Sequence, residues 1–360
     1  MNNHHFEKRM GALQSAMAKH GWDAFISVDP SDNAYLTGFH GSTSALLVTC
    51  QSAKLLCDFR YIEQAAAQVR TAQVVECAGN LDLRLAEQLE QAQLKHIAFE
   101  PSTISVARHQ TLETNCSGEF LAASGICSEL RSCKDPGEIE RIAAATALAE
   151  ESLEAMLEHL KPGVSECALA GLLEYEFRKR GAQGASFDSI VLFGDRSALP
   201  HGKPGDRALK SGDIILVDCG CVLDGYCSDL TRTFVFCRIL DGWFSEIYET
   251  TRVAQEMALQ VVRAGVSAQE VDAAARGYIM DAGYGDNFGH GTGHGVGLEV
   301  HEAPRINTES RAVLKTGMVV TVEPGIYLPG QGGVRIEDLV VVTDDGCDNF
   351  NRLPKELRIL

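Results

Sequence analysis

The feature that most constrains how this chain can fold is an internal repeat in its second half. The tripeptide Gly-Val-Ser at 163–165 recurs 102 residues later, and Gly181 is followed at the same interval by Gly283. The segment 209–218 then matches the segment 314–323, at an interval of 105 residues. Each copy reads as two helices followed by a pair of strands, so the sequence predicts a domain built from two similar halves.

Each half delivers a carboxylate at the equivalent position. An apolar segment led by glycine ends at Asp218 in the first half and at Glu323 in the second. A second acid follows each of them, Asp229 and then Glu337, and the intervening links contain the glycines that hairpin turns favour. Two halves that face each other bring equivalent positions to a shared midline. We therefore expect all four carboxylates to lie close together within otherwise apolar strands.

Four carboxylates buried together repel one another and are expected to be mostly protonated unless cations neutralise them. Two divalent cations match that charge, and the imidazole of His294 adds an uncharged fifth ligand. Oxygen-rich ligation with one nitrogen fits Mn²⁺, which we favour, as well as Co²⁺ or Zn²⁺. Two such cations can share a water, lower its pKa and direct it as hydroxide at a polarised carbonyl. The sequence therefore predicts a dinuclear hydrolytic site.

Histidines set among glycines mark the same part of the chain. His290 and His294 lie in the run 289–297, where every second residue is glycine, and His301 follows shortly after it. His201 lies in an earlier Pro-His-Gly segment. Because glycine lets a backbone approach a ligand closely, we expect these histidines to be exposed. The three that are not counted as ligands are predicted to bind substrate or to move protons.

The first part of the chain follows a different pattern, in which helical and extended segments alternate as in an α/β domain. A strand is predicted over 23–28, and a turn is predicted over 30–33 from its Pro-Ser-Asp-Asn sequence. The charged segment at 132–138 contains Pro-Gly and marks the start of a second domain. The predicted fold class is α/β (α+β), with domains at 1–132 and 133–360.

Composition limits the expected partners and location. The formal net charge of −17 over 360 residues argues against nucleic acid and anionic membranes, because both bind basic surfaces. The first nine residues lack the apolar core of a signal peptide, and no run approaches the ~18 apolar residues of a membrane span. The twelve cysteines include no Cys-x-x-Cys pair. We therefore expect a cytoplasmic protein with reduced, mostly buried thiols.

Three of these cysteines, Cys219, Cys221 and Cys227, cluster near the first predicted ligand. Successive positions of a strand point to opposite faces. Cys219 is therefore expected to point away from the metals, and a structural role is favoured over a redox role for Cys219 and Cys221.

Five residues resemble the metal ligands of the pita-bread metallopeptidases, a family that includes methionine aminopeptidase, prolidase and aminopeptidase P: Asp218, Asp229, His294, Glu323 and Glu337. The resemblance covers residues 140–345. It extends more loosely to a creatinase/prolidase N-terminal domain through Asn-Ala-Tyr-Leu-Thr-Gly-Phe at 33–39 and Asp-Phe-Arg-Tyr-Ile-Glu-Gln at 58–64. It implies a small α/β N-terminal domain followed by a pseudo-twofold pita-bread catalytic domain.

The resemblance also implies how the ligands divide between the two cations. Asp218 would bind one metal through both of its oxygens, whereas Asp229 and Glu337 would bridge the two metals. His294 and Glu323 would bind one of them.

Two further residues resemble marks of the proline-specific branch of this family. His290 lies four residues before the ligand histidine, and Arg335 lies two residues before the last ligand glutamate. In that branch His201 and His301 line the substrate pocket, and Tyr327 is expected in the same pocket. The resemblance therefore implies that these five residues bind a peptide whose second residue is proline.

The function implied is that of a Xaa-Pro aminopeptidase, a metallo-exopeptidase that removes the residue before proline. Glu323 would shuttle the proton, and His301 or His290 would stabilise the tetrahedral intermediate. The alternative is a Xaa-Pro dipeptidase, or prolidase. Creatinase-like hydrolysis without metals and a non-catalytic peptide-binding module are remote alternatives, because both predict loss of the five ligands. The family also implies a homodimer.

Overall fold

The structure is a computed structural model that describes residues 4–238 and 242–360. It divides into two compact units, Met1–Arg131 and Ser132–Leu360. The first three residues of the predicted N-terminal domain lie outside the described residues, and the predicted boundary between residues 132 and 133 stays a prediction. The helices of the described ranges lack the combination of length and apolar character that a membrane span requires.

The first unit is built around one mixed sheet. In chain order its described elements are α1 (His4–His20), β1 (Ala24–Ser27), α2 (Pro30–Thr37), β2 (Ala45–Thr49), β3 (Ala53–Cys57), α3 (Ile62–Gln68), β4 (Gln73–Glu76), α4 (Leu81–Gln91), β5 (His96–Phe99), α5 (Val106–Asn115), β6 (Glu119–Ala122) and α6 (Ile126–Ser132). The strand order is β4-β3-β2-β1-β5-β6. Leu85 and Leu89 of α4 share a buried cluster with Ile26 and Leu47 of the sheet. The predicted α/β pattern is confirmed here.

The predicted turn at 30–33 is wrong, because helix α2 begins there. The Asp29 carboxylate accepts hydrogen bonds from the backbone N–H groups of Ser31 and Asp32, each at 2.9 Å. Pro30 occupies the first turn of the helix, where its missing N–H leaves no bond unmade. Asp, Pro and Ser favour turns, but in this order they also begin a helix.

The second unit is built from two similar halves. In chain order its described elements are α7 (Pro136–Leu157), α8 (Glu166–Lys179), β7 (Gly184–Ala185), β8 (Ile190–Phe193), β9 (Ile214–Cys219), β10 (Cys221–Leu223), β11 (Tyr226–Cys227), β12 (Leu230–Val235), α9 (Gly242–Val261), α10 (Ala268–Asp281), β13 (Gly293–Gly295), β14 (Glu302–Ile306), β15 (Val319–Val322), β16 (Gly325–Leu328), β17 (Gly332–Arg335), β18 (Asp338–Val342) and β19 (Cys347–Asn349). Strands β12-β9-β8 form one sheet and β14-β13-β15-β18-β19 form another.

The internal repeat is confirmed by matching backbone contacts in the two halves. Gly163 donates its N–H to the carbonyl of Leu209, and Gly265 donates to Leu314, each at 2.9 Å. Both glycines have a positive φ, +88° and +86°, which other residues adopt only with strain. The same loop therefore closes each helix pair onto the strand that leads to the site.

Each helix pair covers one face of its sheet with apolar side chains. Leu153 of α7 and Leu173 of α8 share a buried cluster with Val217 and Cys219 of β9. Side chains alternate along a strand, so Asp218 projects from the opposite face. The prediction that Cys219 points away from the acids is confirmed.

The predicted strand pairs carry an extra hairpin that changes where the acids lie. Strands β9 and β12 pair antiparallel, but β10 and β11 interrupt the connection and turn at Asp224-Gly225. In the second half β16 and β17 interrupt the connection between β15 and β18 in the same way. Only Asp218 lies within a strand, whereas Asp229, Glu323 and Glu337 lie at the breaks. The expectation that all four acids lie within apolar strands is therefore corrected.

Candidate metal centre

A cavity of about 790 Å³ in the second unit contains most of the predicted site. The five predicted metal ligands and four of the predicted substrate-binding residues line its wall: Asp218, Asp229, His294, Glu323, Glu337, His201, His290, His301 and Arg335. Tyr327 is buried and hydrogen-bonds to two of these residues from behind the wall. Residues that are more than a hundred positions apart in sequence thus meet in one place.

Two backbone contacts fix the acids of the second half, one of them across to the first half. Glu337 donates its N–H to the carbonyl of Thr231 at 3.1 Å, in an isolated bridge that joins the halves. Glu323 donates its N–H to the carbonyl of Thr292 at 2.8 Å. The backbone N–H groups of Glu337 and Glu323, which lie outside the strand ladders, thereby find their partners in Thr231 of the first half and Thr292 of the second.

The side chains of three predicted ligands converge closely. One possible ligand atom each from Asp229, His294 and Glu337 lies within 4.8 Å of the other two. The Nε2 atom of His294 is 3.6 Å from Asp229 Oδ2 and 3.4 Å from Glu323 Oε1. His294 Nδ1 lies 3.0 Å from the carbonyl oxygen of Gly295, which can only accept a hydrogen bond. Nδ1 therefore carries the proton, and Nε2 presents a lone pair toward the acids, as a metal-binding imidazole requires.

Two carboxylate oxygens at the centre of the site support the presence of cations. Asp218 Oδ1 and Glu337 Oε1 are buried and have no hydrogen-bond partner among the described residues. The other oxygen of each group is held, that of Asp218 by Arg335 and that of Glu337 by the Thr231 hydroxyl at 2.7 Å. An unpaired buried carboxylate oxygen is costly, so the residues present fit divalent cations well.

The pKa values of these acids indicate how strongly they repel one another without cations. Burial, followed by the charges of the neighbouring acids, raises the pKa of Asp229 and of Glu337 well above the ordinary range. Burial raises the pKa of Glu323 to about 7, although the charge of Arg335 opposes the change. Divalent cations favour the ionised forms of these groups and therefore reverse the effect.

His290 is held inside the protein at both ring nitrogens. Its Nδ1 donates to the carbonyl of Gly291 at 2.8 Å, so its Nε2 accepts from the hydroxyl of Tyr327 at 2.9 Å. Burial raises the pKa of Tyr327 to about 12, which keeps that hydroxyl protonated. Burial, with the charge of Arg335, lowers the pKa of His290 to about 4. His290 is therefore a neutral, fixed part of the wall.

His301 is placed differently from His290. Its side chain is exposed in the cavity, and its ring centre lies 4.4 Å from that of His294 at an interplanar angle of 71°. Partial desolvation at the cavity wall, followed by the charge of the neighbouring His294, lowers the pKa of His301. Both predicted oxyanion-stabilising histidines line the cavity, but His301 is exposed whereas His290 is half-buried, so the expectation of exposure is corrected for His290.

Arg335 connects several groups of the site. It is buried and donates through Nε to the hydroxyl of Thr231 at 3.1 Å and through Nη1 to the hydroxyl of Tyr327 at 2.8 Å. Its Nη2 donates to Asp218. One guanidinium thus orients a proposed ligand from each half, Asp218 directly and Glu337 through Thr231.

Comparison with known proteins identifies the family of this site. Residues 140–344 match the model of metallopeptidase family M24, and residues 9–133 match the creatinase/prolidase N-terminal domain. The chain belongs to metallopeptidase family M24. The predicted family and fold class are confirmed, and the chain is a peptidase of a family that uses divalent metal ions.

Relatives of this M24 peptidase match it over nearly its whole length. It is 38% identical over 353 residues to the uncharacterized peptidase YqhT of Bacillus subtilis (strain 168), covering 98% of this chain and 100% of that protein. A solved structure of a Xaa-Pro dipeptidase from Bacillus anthracis has a TM-score of 0.95 at 38% identity, over 99% of this chain and 100% of that one. The X-Pro aminopeptidase from Thermotoga maritima MSB8 has a TM-score of 0.88 at 36% identity, over 94% and 98%.

Sequence reasoning missed the residues that orient the histidine segment of this M24 peptidase. Asp272 Oδ1 accepts from the hydroxyl of Thr292 at 2.8 Å, and Arg276 donates to the carbonyl of His290 at 2.7 Å. Asp272 and Arg276 also pair with each other along α10. An acid and an arginine four residues apart on a helix are an ordinary surface pattern, so the sequence carried no signal of this role.

The glycines of the histidine run serve close packing of strands. A Cβ atom on Gly293 would lie 2.0 Å from the carbonyl oxygen of Thr321, and one on Gly295 would lie 2.2 Å from that of Ala303. These two glycines thus let neighbouring protein backbone approach, and Gly293 also lines the cavity, so the expected approach of backbone to a ligand stays a prediction.

We expect the stability of the metal-free protein to fall as the pH rises. The acids with raised pKa, Asp229, Glu323 and Glu337, hold more protons in the folded than in the unfolded state. Their contribution is complete below the ordinary pKa of about 4 and is lost as the pH rises through the raised values, at about 1.4 kcal/mol per unit of pKa shift. Thermal unfolding in a chelator between pH 6.5 and 8 measures this, because the lowered pKa values of His290, His294 and His301 change the stability in the opposite direction below their ordinary value of about 6.5. The Mn²⁺-loaded protein should lack the trend, and a Tm that rises with pH in the metal-free protein contradicts the prediction.

Proposed function

We propose that this M24 peptidase removes the N-terminal residue that precedes proline, as a Xaa-Pro aminopeptidase with two divalent cations. The observation that carries the proposal is the cluster of five donor side chains, two of them with unpaired buried oxygens, in one cavity with His301 and Arg335. Two structural neighbours of the chain are a Xaa-Pro dipeptidase and an X-Pro aminopeptidase, which supports the specificity for a bond before proline.

The cations would be held by the five side chains already described: Asp218, Asp229, His294, Glu323 and Glu337. When bound, they would supply Lewis-acid polarisation of the scissile carbonyl and activation of a water. Mn²⁺ is proposed ahead of Co²⁺ and Zn²⁺, because oxygen donors outnumber the single nitrogen. The remote alternatives without metals gain no support, because all five ligands are present.

The chain's own residues would then transfer the proton, stabilise the oxyanion, contact the substrate and position the ligands. The Glu323 carboxylate would accept a proton from the attacking water and deliver it to the departing proline nitrogen. His301, exposed in the cavity, would donate a hydrogen bond to the oxyanion. His201 is exposed in the same wall and would contact the substrate. His290 and Tyr327 would hold Arg335 in place, and Arg335 would orient Asp218.

The size of the cavity favours an aminopeptidase. A volume of about 790 Å³ is within the range of sites for drug-sized ligands and leaves room for a chain that continues past proline. A second candidate function, Xaa-Pro dipeptidase, is favoured by the similarity to the B. anthracis enzyme over the full chain. The two functions differ only in whether the peptide continues beyond proline.

The test is the hydrolysis of Ala-Pro and Ala-Pro-Ala by metal-stripped protein that is resupplied with Mn²⁺. We expect the tripeptide to be cleaved at least as fast as the dipeptide, and Ala-Ala-Ala to be cleaved far more slowly. Cleavage of Ala-Pro alone would establish the dipeptidase instead. The proposal is overturned if neither proline peptide is cleaved with Mn²⁺, Co²⁺ or Zn²⁺.

Four further predictions accompany the proposed function. The protein is expected to be a cytoplasmic homodimer, and its two domains are expected to divide between residues 132 and 133. Peptides with proline as their second residue are the expected partners. Size-exclusion chromatography with light scattering tests the dimer.

A further inference from the structure

A buried ion pair lies beside the cavity and outside the proposed ligand set. Lys134 Nζ donates to Glu302 Oε2 at 2.9 Å, and the side chains of Lys134 and Glu302 are 1% and 4% exposed. Lys134 lies just before α7, whereas Glu302 directly follows His301 and lines the cavity. The pair therefore links the start of the second unit to a histidine that is proposed to meet the substrate.

The Glu302 carboxylate holds the loop at 296–301, which joins β13 to β14 and carries His301. Its Oε1 accepts from the backbone N–H of Glu299 at 3.2 Å. The carboxylate also lies directly on Gly297, where an added Cβ would be 2.5 Å from Oε2 and 2.8 Å from Oε1. Both ends of the loop are thus held by one side chain.

Lys134 is itself fixed to a strand that leads to the site. Its backbone N–H donates to the carbonyl of Gly317 at 2.8 Å, and Cys133 forms an isolated bridge with Met318. Strand β15 begins at the next residue and ends just before Glu323. The ammonium group therefore has a defined position relative to the proposed catalytic acid.

A buried ion pair is a poor way to stabilise a fold, because withdrawing both charges from water is costly and apolar side chains commonly serve as well. It is a good way to fix a position, since neither charge can move away from its partner without being left unpaired. The location of this pair, one residue from His301, indicates which position is fixed.

We propose that Lys134 is a positioning residue that acts through Glu302 to hold the imidazole of His301 against His294. The inference rests on the proposed function, in which His301 contacts the reacting carbonyl. Because a displacement of about 1 Å of a catalytic group can cost about 10²-fold in rate, loosening this loop should appear mainly in kcat.

The test compares Lys134→Met in two backgrounds. In the otherwise unchanged enzyme, Lys134→Met is expected to lower kcat for Ala-Pro-Ala about 10- to 100-fold with KM nearly unchanged and full Mn²⁺ content. In a His301→Asn background the same substitution should change kcat less than about twofold, because the group it positions is gone. Lys134→Arg should recover part of the activity. The exposed Lys161 provides the matched control, Lys161→Met, which should leave kcat unchanged.

Several results would overturn the proposal. An equal loss in the His301→Asn background, or a loss explained by missing Mn²⁺, would make Lys134 a purely structural residue. If Lys134→Met does not fold, it is replaced by Gly297→Ala, whose added methyl group displaces the Glu302 carboxylate. The control is Gly289→Ala, because a Cβ atom at that position would meet open space. Gly297→Ala must then lower kcat and Gly289→Ala must not.

Amide hydrogen exchange separates this proposal from the proposed function. Lys134→Met should raise the exchange rates of residues 298–302 and leave those of 289–291 unchanged, whether or not any peptide is cleaved. If the unchanged enzyme cleaves no Xaa-Pro peptide, the proposed function fails while this measurement still tests the position of the loop. Unchanged exchange at 298–302 contradicts the role of Lys134.

Discussion

Replacing Glu323 with glutamine is expected to lower kcat for Ala-Pro-Ala by about 10²- to 10⁴-fold. The substitution keeps the size of the side chain but removes a proposed metal ligand and the proposed proton acceptor together. The Glu323 backbone is held independently, by its bond to the carbonyl of Thr292, so the fold should be preserved. Steady-state kinetics with measured Mn²⁺ content, together with the Tm, checks the prediction.

The matched control for this experiment is Glu309→Gln. Glu309 is exposed and lies after the loop that carries His301, so it tests the loss of one carboxylate charge without change to the site. We expect wild-type kinetics from it. Near-normal turnover of Glu323→Gln would refute the role of Glu323, and a loss of the same size in Glu309→Gln would assign the effect to overall charge.

The core of the site could be predicted from the sequence because it depends on a repeat and on charge. The repeat places Asp218 and Glu323 at equivalent positions, and four acids beside apolar segments require a neutralising partner whatever their detailed geometry. Strand alternation was enough to direct Cys219 away from the acids. These inferences use only local periodicity and the equivalence of two segments.

The supporting residues could not be predicted, because their roles depend on contacts that local patterns do not encode. Lys134 and Glu302 are 168 positions apart, and each is unremarkable in its own segment. The glycines at 293 and 295 were recognised, but their packing role was not, since the backbone that crowds them is distant in sequence. Helix α2 was missed for a different cause, because the same Asp-Pro-Ser sequence both begins helices and forms turns.

The structure distinguishes residues that looked alike in sequence. His290 and His301 lie on either side of His294 and could not be distinguished by spacing. The structure engages both nitrogens of His290 with Gly291 and Tyr327, while His301 remains exposed in the cavity. Arg335 connects the two halves, because its guanidinium contacts Asp218 and Thr231 of the first half and Tyr327 of the second.

Replacing Arg335 with methionine is therefore expected to lower kcat/KM for Ala-Pro-Ala by at least about 10²-fold, since the carboxylate of Asp218 and the hydroxyls of Tyr327 and Thr231 lose their common donor. Removing one member of a buried charge pair should also lower the free energy of unfolding by about 3–5 kcal/mol. Kinetics, Mn²⁺ content and calorimetric unfolding measure the two effects separately.

Arg335→Lys shows whether charge or geometry matters. Lysine keeps the positive charge, but its single ammonium cannot donate to Asp218, Tyr327 and Thr231 together in the fixed pattern of a guanidinium. We expect Arg335→Lys to recover much of the stability and little of the activity, whereas Arg311→Lys, at an exposed position, should be neutral in both. Full activity in Arg335→Lys would show that charge alone suffices, and the orienting role of the guanidinium would then be wrong.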